Sequence, residues 1–512
     1  MSKLSITDLL VYLALVEILF VFSGCQKATL PDTFTEAENQ AVIYPDYTDT
    51  TIPPNIAPMN FLIEEPGDRF ITRISSDKGV PILVVGRNVD IPIKKWRTLL
   101  KENKGNSLTI DIYSCSKGKW VKYQTITNRI SDDPIDPWVF YRLIEPGYEF
   151  AHRISLNQRN LESFHEEAFF DNRSVPNSPC VNCHAGQDRR TERFMFHFRR
   201  NADPLLGGTV IVDHNRIRKL GTNLPEIGNS CTYPAWHPTE NLLAFSANKT
   251  RQRFHSRSVN KIEVFDYESD LVLLDPETQT ISSVTKTPVD FETFPSWSPA
   301  GDALYFCSAH LDLEELAQKD QNPDIDVVIV DHYMDFKYNL MRMSFDAKTR
   351  TFGKPEVVVD AAALDKSIVH PRVSPDGNYL IYTMSAYGTF PIWHPDSDLY
   401  QLDLRTGESR RMDEINSDQS ESYHTWTSNG HWLVFSSRRD TGSYTRLYFT
   451  HMDNEGMGSK PFLLPQKNPL DNVYRFKSYN VPEMMQEPVH VNLRTLANAA
   501  GKFPEQARYD NR

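Results

Sequence analysis

Four stretches in the C-terminal half of the chain repeat one hydrophobic pattern. Each opens on a short segment that closes on a bulky residue: Tyr233-Pro-Ala-Trp236, Phe294-Pro-Ser-Trp297, His370-Pro-Arg-Val373 and Tyr423-His-Thr-Trp426. A turn follows, marked by Asn241, Gly301-Asp302, Gly377-Asn378 or Gly430-His431, residue types that favour tight reversals. Next comes a short apolar run rich in strand formers: Leu242-Leu-Ala-Phe-Ser246, Ala303-Leu-Tyr-Phe-Cys307, Tyr379-Leu-Ile-Tyr-Thr383 and Trp432-Leu-Val-Phe-Ser436. Runs of this length between turn signals predict strands. A further strand, as in Ser269-Asp-Leu-Val-Leu-Leu and Ser397-Asp-Leu-Tyr-Gln-Leu, precedes Asp and another polar turn. Trp236, Trp297, Val373 and Trp426 are 61, 76 and 53 residues apart, a spacing that suits propeller blades with loops of unequal length.

The order of strand, turn and strand pair over residues 231–466 resembles the TolB-type β-propeller repeat. That resemblance implies an all-β fold. Residues 136–230 add strand patterns such as Trp138-Val-Phe-Tyr-Arg-Leu and Gly208-Thr-Val-Ile-Val-Asp213, so the expectation is a six-bladed propeller whose first blades lie in 136–230. Leu161, Phe164 and Ala168 recur at helical spacing and predict a short amphipathic helix. Residues 59–135 read as a separate small β-rich domain with a helix near 96–101. Residues 467–512 read as a tail packed on the propeller, with Met484 and Met485 in a loop-like segment.

The N-terminus adds an address. Residues 9–22 are almost wholly apolar and lead through Ser23-Gly24 into Cys25. This resembles a bacterial lipoprotein signal over 1–24, with Cys25 the lipidated residue. An ordinary secretory signal or an uncleaved anchor are the alternatives, and each exports the chain. The expected location is the periplasm-facing membrane surface or the outer membrane. Prolines 31, 45, 53, 54 and 58 suggest that 25–58 is an extended tether.

Composition narrows the partners. Fifty-five Lys and Arg against 67 Asp and Glu give a net charge of −12, which argues against nucleic acid, whose binding proteins gain affinity by neutralising phosphates. Asp324, Asp326, Asp331, His332 and Asp335 form an acidic stretch, read as a solvated loop or a divalent-cation site.

Cysteine spacing isolates one site. Of six cysteines, Cys180-Val-Asn-Cys183-His184 forms CxxCH, in which two thiols hold haem through its vinyl groups and the imidazole reaches the iron. With this composition, chance would supply the pattern about 0.002 times. The expected cofactor is one covalent haem c, held by Cys180 and Cys183 with His184 as axial ligand, on a loop inserted in the first blades. A thioredoxin-like dithiol or half a zinc site are the alternatives. In Arg193-Phe-Met-Phe-His-Phe-Arg199 the residues alternate, so a strand would put three phenylalanines on one face and Met195, His197 and Arg199 on the other. His197 or Met195 is the candidate sixth ligand, and Arg199 a candidate partner for a haem propionate. Tyr233, Phe294, His370 and His424 are candidate lining of the propeller channel.

A small β module, CxxCH and TolB-like repeats on one exported chain resemble the N-terminal part of the hydrazine synthase alpha subunit and its bacterial relatives. Ile52-Pro-Pro-Asn-Ile-Ala-Pro-Met-Asn-Phe61 supports the likeness. It implies a periplasmic haem c protein. The tyrosine that follows the motif in that enzyme is missing here, where Ala185-Gly-Gln-Asp188 follows. Three functions are open: electron transfer to redox partner proteins, a haem enzyme or small-molecule sensor with an open iron, and a propeller scaffold for complex assembly.

Overall fold

The computed structural model describes residues 29–145, 153–199, 206–228 and 231–511; the apolar run and Cys25 lie outside them. The described chain is nearly all-β, with 47% strand against 11% helix. The four repeated apolar runs are strands, Leu243–Phe254, Ala303–His310, Tyr379–Ser385 and Trp432–Ser437.

Among the described residues, six sheets of four or five strands follow one plan. Their first strands are Cys180–Gln187, Cys231–Trp236, Asp290–Trp297, Ser367–Val373, Glu421–Trp426 and Ser478–Met485. Each touches the next in this order, and the last touches the first. The arrangement is propeller-like. Alternation explains why both faces of the middle strands are apolar: Leu243 and Phe245 pack towards the preceding sheet, with Met195 and Ile211, while Leu242 and Ala244 pack towards the following one, with Leu304 and Phe306. Successive side chains point to opposite faces, so a strand between two sheets reads as a continuous apolar run. At the Gly301 turn the backbone has φ +72°, and a Cβ there would lie 2.4 Å from the His237 ring; glycine alone fits that contact.

Four expectations are corrected. Residues 29–58 are not an extended tether: Thr35–Gln40 pairs in parallel with Lys119–Gln124, and Thr51–Ile52 with Ile126–Ile130, while Tyr47, Ile52 and Ile56 are buried. Their apolar side chains outweigh the prolines, because burying each contributes roughly 1.5–3 kcal/mol. They complete the N-terminal domain, whose seven-stranded sheet carries the helix Ile93–Glu102 with Trp96, Leu99 and Leu100 buried. The helix expected around 161–168 is instead a turn over 161–165 that runs into the strand Glu166–Asp171, paired with Ile154–Asn160, because Phe169 and Phe170 are buried in that strand and the register of the hairpin overrides a weak helical period. Residues 467–512 do not merely pack on the outside. Ser478–Met485 is the first strand of the sheet containing Trp138–Ile144, and Glu505–Gln506 and Arg508–Tyr509 extend two other sheets. Finally, CxxCH stands on a first strand, Cys180–Gln187, paired with Arg190–Arg199, and not on an inserted loop.

Candidate functional site

Each first strand carries one non-glycine residue with left-handed backbone at the same place: Cys183 (φ 51°), Tyr233 (48°), Phe294 (53°), His370 (56°), Tyr423 (48°) and Val481 (50°). Pairing with the neighbouring strand breaks register at that point in every sheet. Such backbone costs about 1–2 kcal/mol per residue and persists where surrounding structure imposes it. These residues form a belt. Ring centroids are 4.4 Å apart for Tyr233 and Phe294, 4.4 Å for Phe294 and His370, and 4.2 Å for His370 and Tyr423.

Two chambers lie on either side of the belt. Cys180, Asn182, Thr232 and Asn480, which precede it, line a chamber of about 170 Å³. His184, Ala185, Pro234 and Pro482, which follow it, line another of about 430 Å³.

The first chamber holds both motif cysteines, Arg142, Arg199 and Arg438, against walls that include Ile154, Ile262, Ile392 and Trp393. Arg199 stands opposite Cys180 in the ladder. Burial opposes its charge, but the Cys180 and Cys183 sulfurs and the Tyr233 hydroxyl more than offset that. Arg142 donates to the Asn182 carboxamide. The Arg438 guanidinium lies 3.2 Å from the centroid of the Trp393 ring and burial lowers its pKa to about 9. Burial raises the Cys183 thiol, against the pull of a Tyr233 backbone group, Arg199 and Arg142. The five cysteines among the described residues are free thiols. Three guanidiniums and the Glu145 carboxylate line this chamber beside its apolar walls, and two of the guanidiniums are already engaged, Arg142 by Asn182 and Arg438 by the Ile392 carbonyl.

The second chamber is built by the repeat's own tryptophans. Trp236, Trp297 and Trp426 each donate from the indole N–H to a carbonyl of the preceding first strand, Ala185 at 3.2 Å, Ala235 at 3.1 Å and Arg372 at 3.2 Å. Glu483 accepts from the Gly186 N–H at 3.0 Å; burial raises its pKa to about 7, opposed by that bond and by Arg372 and Arg189.

The structure brings some predicted residues together and separates others. Cys180, Cys183, Arg199 and Tyr233 share the first chamber, whereas His184 lines the second. Both His184 ring nitrogens are buried without a hydrogen-bond partner. Burial, then Arg142, lowers its pKa to about 3 against a Val481 backbone group. A neutral imidazole with free nitrogens is the chemistry a metal ion takes. The donor set therefore fits a covalently held haem, while its placement divides thiols from imidazole. His197 is fully buried with neither nitrogen partnered, its pKa lowered to about 3 by burial and then Arg199, yet it lines neither chamber. Phe294 and His370 sit in the belt, and burial, then Arg372 and His424, keep His370 neutral. His424 donates from Nε2 to the Ile381 carbonyl at 2.9 Å. Phe194, Phe196 and Phe198 enter one core and Met195 another, as the alternation requires. In the acidic stretch, Asp324 caps the helix Ile325–His332, Asp326 pairs with Arg251 and His332 bridges Asp320 and Asp335.

Sequence reasoning missed Arg142, Arg438, Trp393 and Glu483. Only Glu483 had a local signal, since Val481-Pro482 repeats the belt-residue–proline step of Tyr233-Pro234, Phe294-Pro295 and His370-Pro371.

No family model matches the chain, and no curated protein does. Among solved structures, hydrazine synthase of Kuenenia stuttgartiensis aligns at 12% identity and TM-score 0.30, over 56% of this chain and 65% of that one. Prolyl oligopeptidase B of Galerina marginata aligns at 10% identity and TM-score 0.34, over 78% and 54%. A DUF4784 family protein of Bacteroides caccae aligns at 7% identity and TM-score 0.28, over 72% and 95%. The chain thus spans less than two thirds of the first two, and at these scores the likenesses assign no chemistry to it.

Proposed function

We propose that this chain is an exported, lipid-anchored monohaem c-type cytochrome acting in periplasmic electron transfer, with its six like sheets forming a six-bladed TolB-like propeller. The observation that carries this reading is the joint presence of Cys180, Cys183 and three arginines in one apolar chamber at the belt. Cys180 and Cys183 would hold the porphyrin through its vinyl groups and His184 its iron, and Arg199 would reach a propionate by turning away from the Cys180 sulfur it now meets. Bound haem would supply a one-electron redox centre. The chain's own contribution is to exclude water with Ile154, Ile262 and Trp393, and to keep His184 neutral. Because His184 faces the other chamber, iron ligation entails a change in the strained backbone at Cys183.

A second reading, a haem enzyme or small-molecule sensor with an open iron, is favoured by one observation: His197, the expected sixth ligand, lines neither chamber.

The test is the absorption spectrum of the full chain, exported and matured with a cytochrome assembly system, before and after reduction and carbon monoxide. Low-spin bands unmoved by carbon monoxide are expected for electron transfer. A shifted spectrum supports the open-iron reading, and absence of haem bands leaves a propeller scaffold.

A further inference from the structure

Outside the chamber linings, Asp133, His431 and His451 meet at the seam between the N-terminal domain and the last of the repeated sheets. Each offers one ligand atom, and these lie within 4.8 Å of one another. His451 Nε2 is 2.9 Å from one Asp133 carboxylate oxygen, and His431 Nε2 is 3.8 Å from the other. The two imidazoles are nearly parallel, with an interplanar angle of 13° and centroids 6.2 Å apart. Ligand atoms around a tetrahedral zinc ion stand about 3.3 Å apart, given bonds of about 2.0–2.1 Å. To reach that spacing the three ligand atoms, now within 4.8 Å of one another, close up, and the Ser131 hydroxyl, 3.1 Å from His451 Nε2, gives way.

Its surroundings are those of a held ligand set. His431 Nδ1 is 3.3 Å from the Met452 carbonyl, which can only accept, so Nδ1 is the donor there and Nε2 is the nitrogen turned towards Asp133. The Trp432 indole donates to the Asp133 carbonyl at 3.0 Å, and its ring packs edge-on to His451 with centroids 4.9 Å apart. Such outer contacts orient metal-binding side chains. The three side chains are 18–32% exposed, which leaves room for a water or other small ligand to complete the coordination.

We propose that Asp133, His431 and His451 bind one divalent transition ion, which staples the 131–136 segment to the last repeated sheet. Two imidazoles and a carboxylate suit zinc or a neighbouring first-row ion, whereas calcium and magnesium take oxygen ligands.

Zinc alone is the probe, added to full-length protein first stripped with chelator. Metal content after dialysis is expected to be one zinc higher in the wild type than in Asp133→Asn, His431→Gln or His451→Gln, with affinity at the site falling more than about tenfold in each variant. Equal content and affinity in wild type and folded variants would overturn the proposal. A second readout needs no variant: zinc should lower diethyl pyrocarbonate labelling of His431 and His451 at least tenfold, read by mass spectrometry, and leave the exposed His165 unchanged. Labelling of the pair that zinc does not alter also overturns it.

Discussion

The first strands Cys180–Gln187 and Asp290–Trp297 share a backbone and differ in chemistry. Both break register at a left-handed residue, Cys183 with φ 51° and Phe294 with φ 53°. After that point the second strand has Pro295 and Trp297, whose indole tethers it to the preceding strand, whereas the first has His184 and Gly186. Gly186 leaves the tryptophan's slot to another segment: a Cβ there would lie 2.6 Å from the Met485 methyl and 2.8 Å from the Arg190 carbonyl. The ring therefore dictates where the backbone bends and leaves side chains at the bend free. In one strand they serve packing, and in the other they send the thiols to one chamber and the imidazole to the other, while Met485 fills the space that Gly186 leaves.

The largest expected effect breaks the chemistry and spares the fold. Cys180→Ala/Cys183→Ala should abolish covalent haem, read as loss of haem stain on a denaturing gel, while the circular dichroism of the sheets persists. Stain retained by the double variant would refute attachment there. Next, Trp297→Ala should destabilise the protein by about 3–5 kcal/mol, the usual range for deleting a buried indole, as measured by urea unfolding. A loss under about 1 kcal/mol would mean that the tether is idle. The reverse change in the other strand, Gly186→Ala, should cost about 1–3 kcal/mol by overpacking against Met485 and Arg190; the same unfolding curves would show a neutral effect if Met485 simply moves aside.

The smallest effect is a pH slope. Burial raises the Glu483 pKa to about 7, so between the ordinary carboxylate value and pH 7 the folded chain holds a proton that the unfolded chain has released. Its contribution to stability is full below the ordinary value and declines as pH rises towards 7, at no more than about 1.4 kcal/mol per pH unit. Glu483→Gln should remove that slope. Denaturation midpoints at pH 5 and pH 7 that change alike in both proteins would exclude it.

Legibility followed sequence distance. The four repeats were readable because each strand, turn and strand pair is local and recurs with the same residue types, down to the tryptophans at 236, 297 and 426. CxxCH was readable for the same reason. Its setting was not: Cys183-His-Ala-Gly186 keeps only the alanine of Tyr233-Pro-Ala-Trp236, too little to mark a first strand. Residues 29–58 misled through proline content, since composition reports the unfolded chain's stiffness and not the sheet that accepts Thr51–Ile52. Arg142 and Arg438 come to one chamber from neighbouring sheets whose strands lie far apart in the chain, a placement only closure creates.

By itself, then, the sequence determined an all-β repeat chain, the strand faces and a thiol–imidazole motif, because periodicity and spacing act over a few residues. Tertiary structure decided the rest: that Ser478–Met485 returns to lie beside Cys180–Gln187, that six strained residues meet in a belt, and that Asp133 lies beside His431 and His451. These are contacts between segments up to about 300 residues apart, and their specificity comes from burial and register that no local pattern encodes.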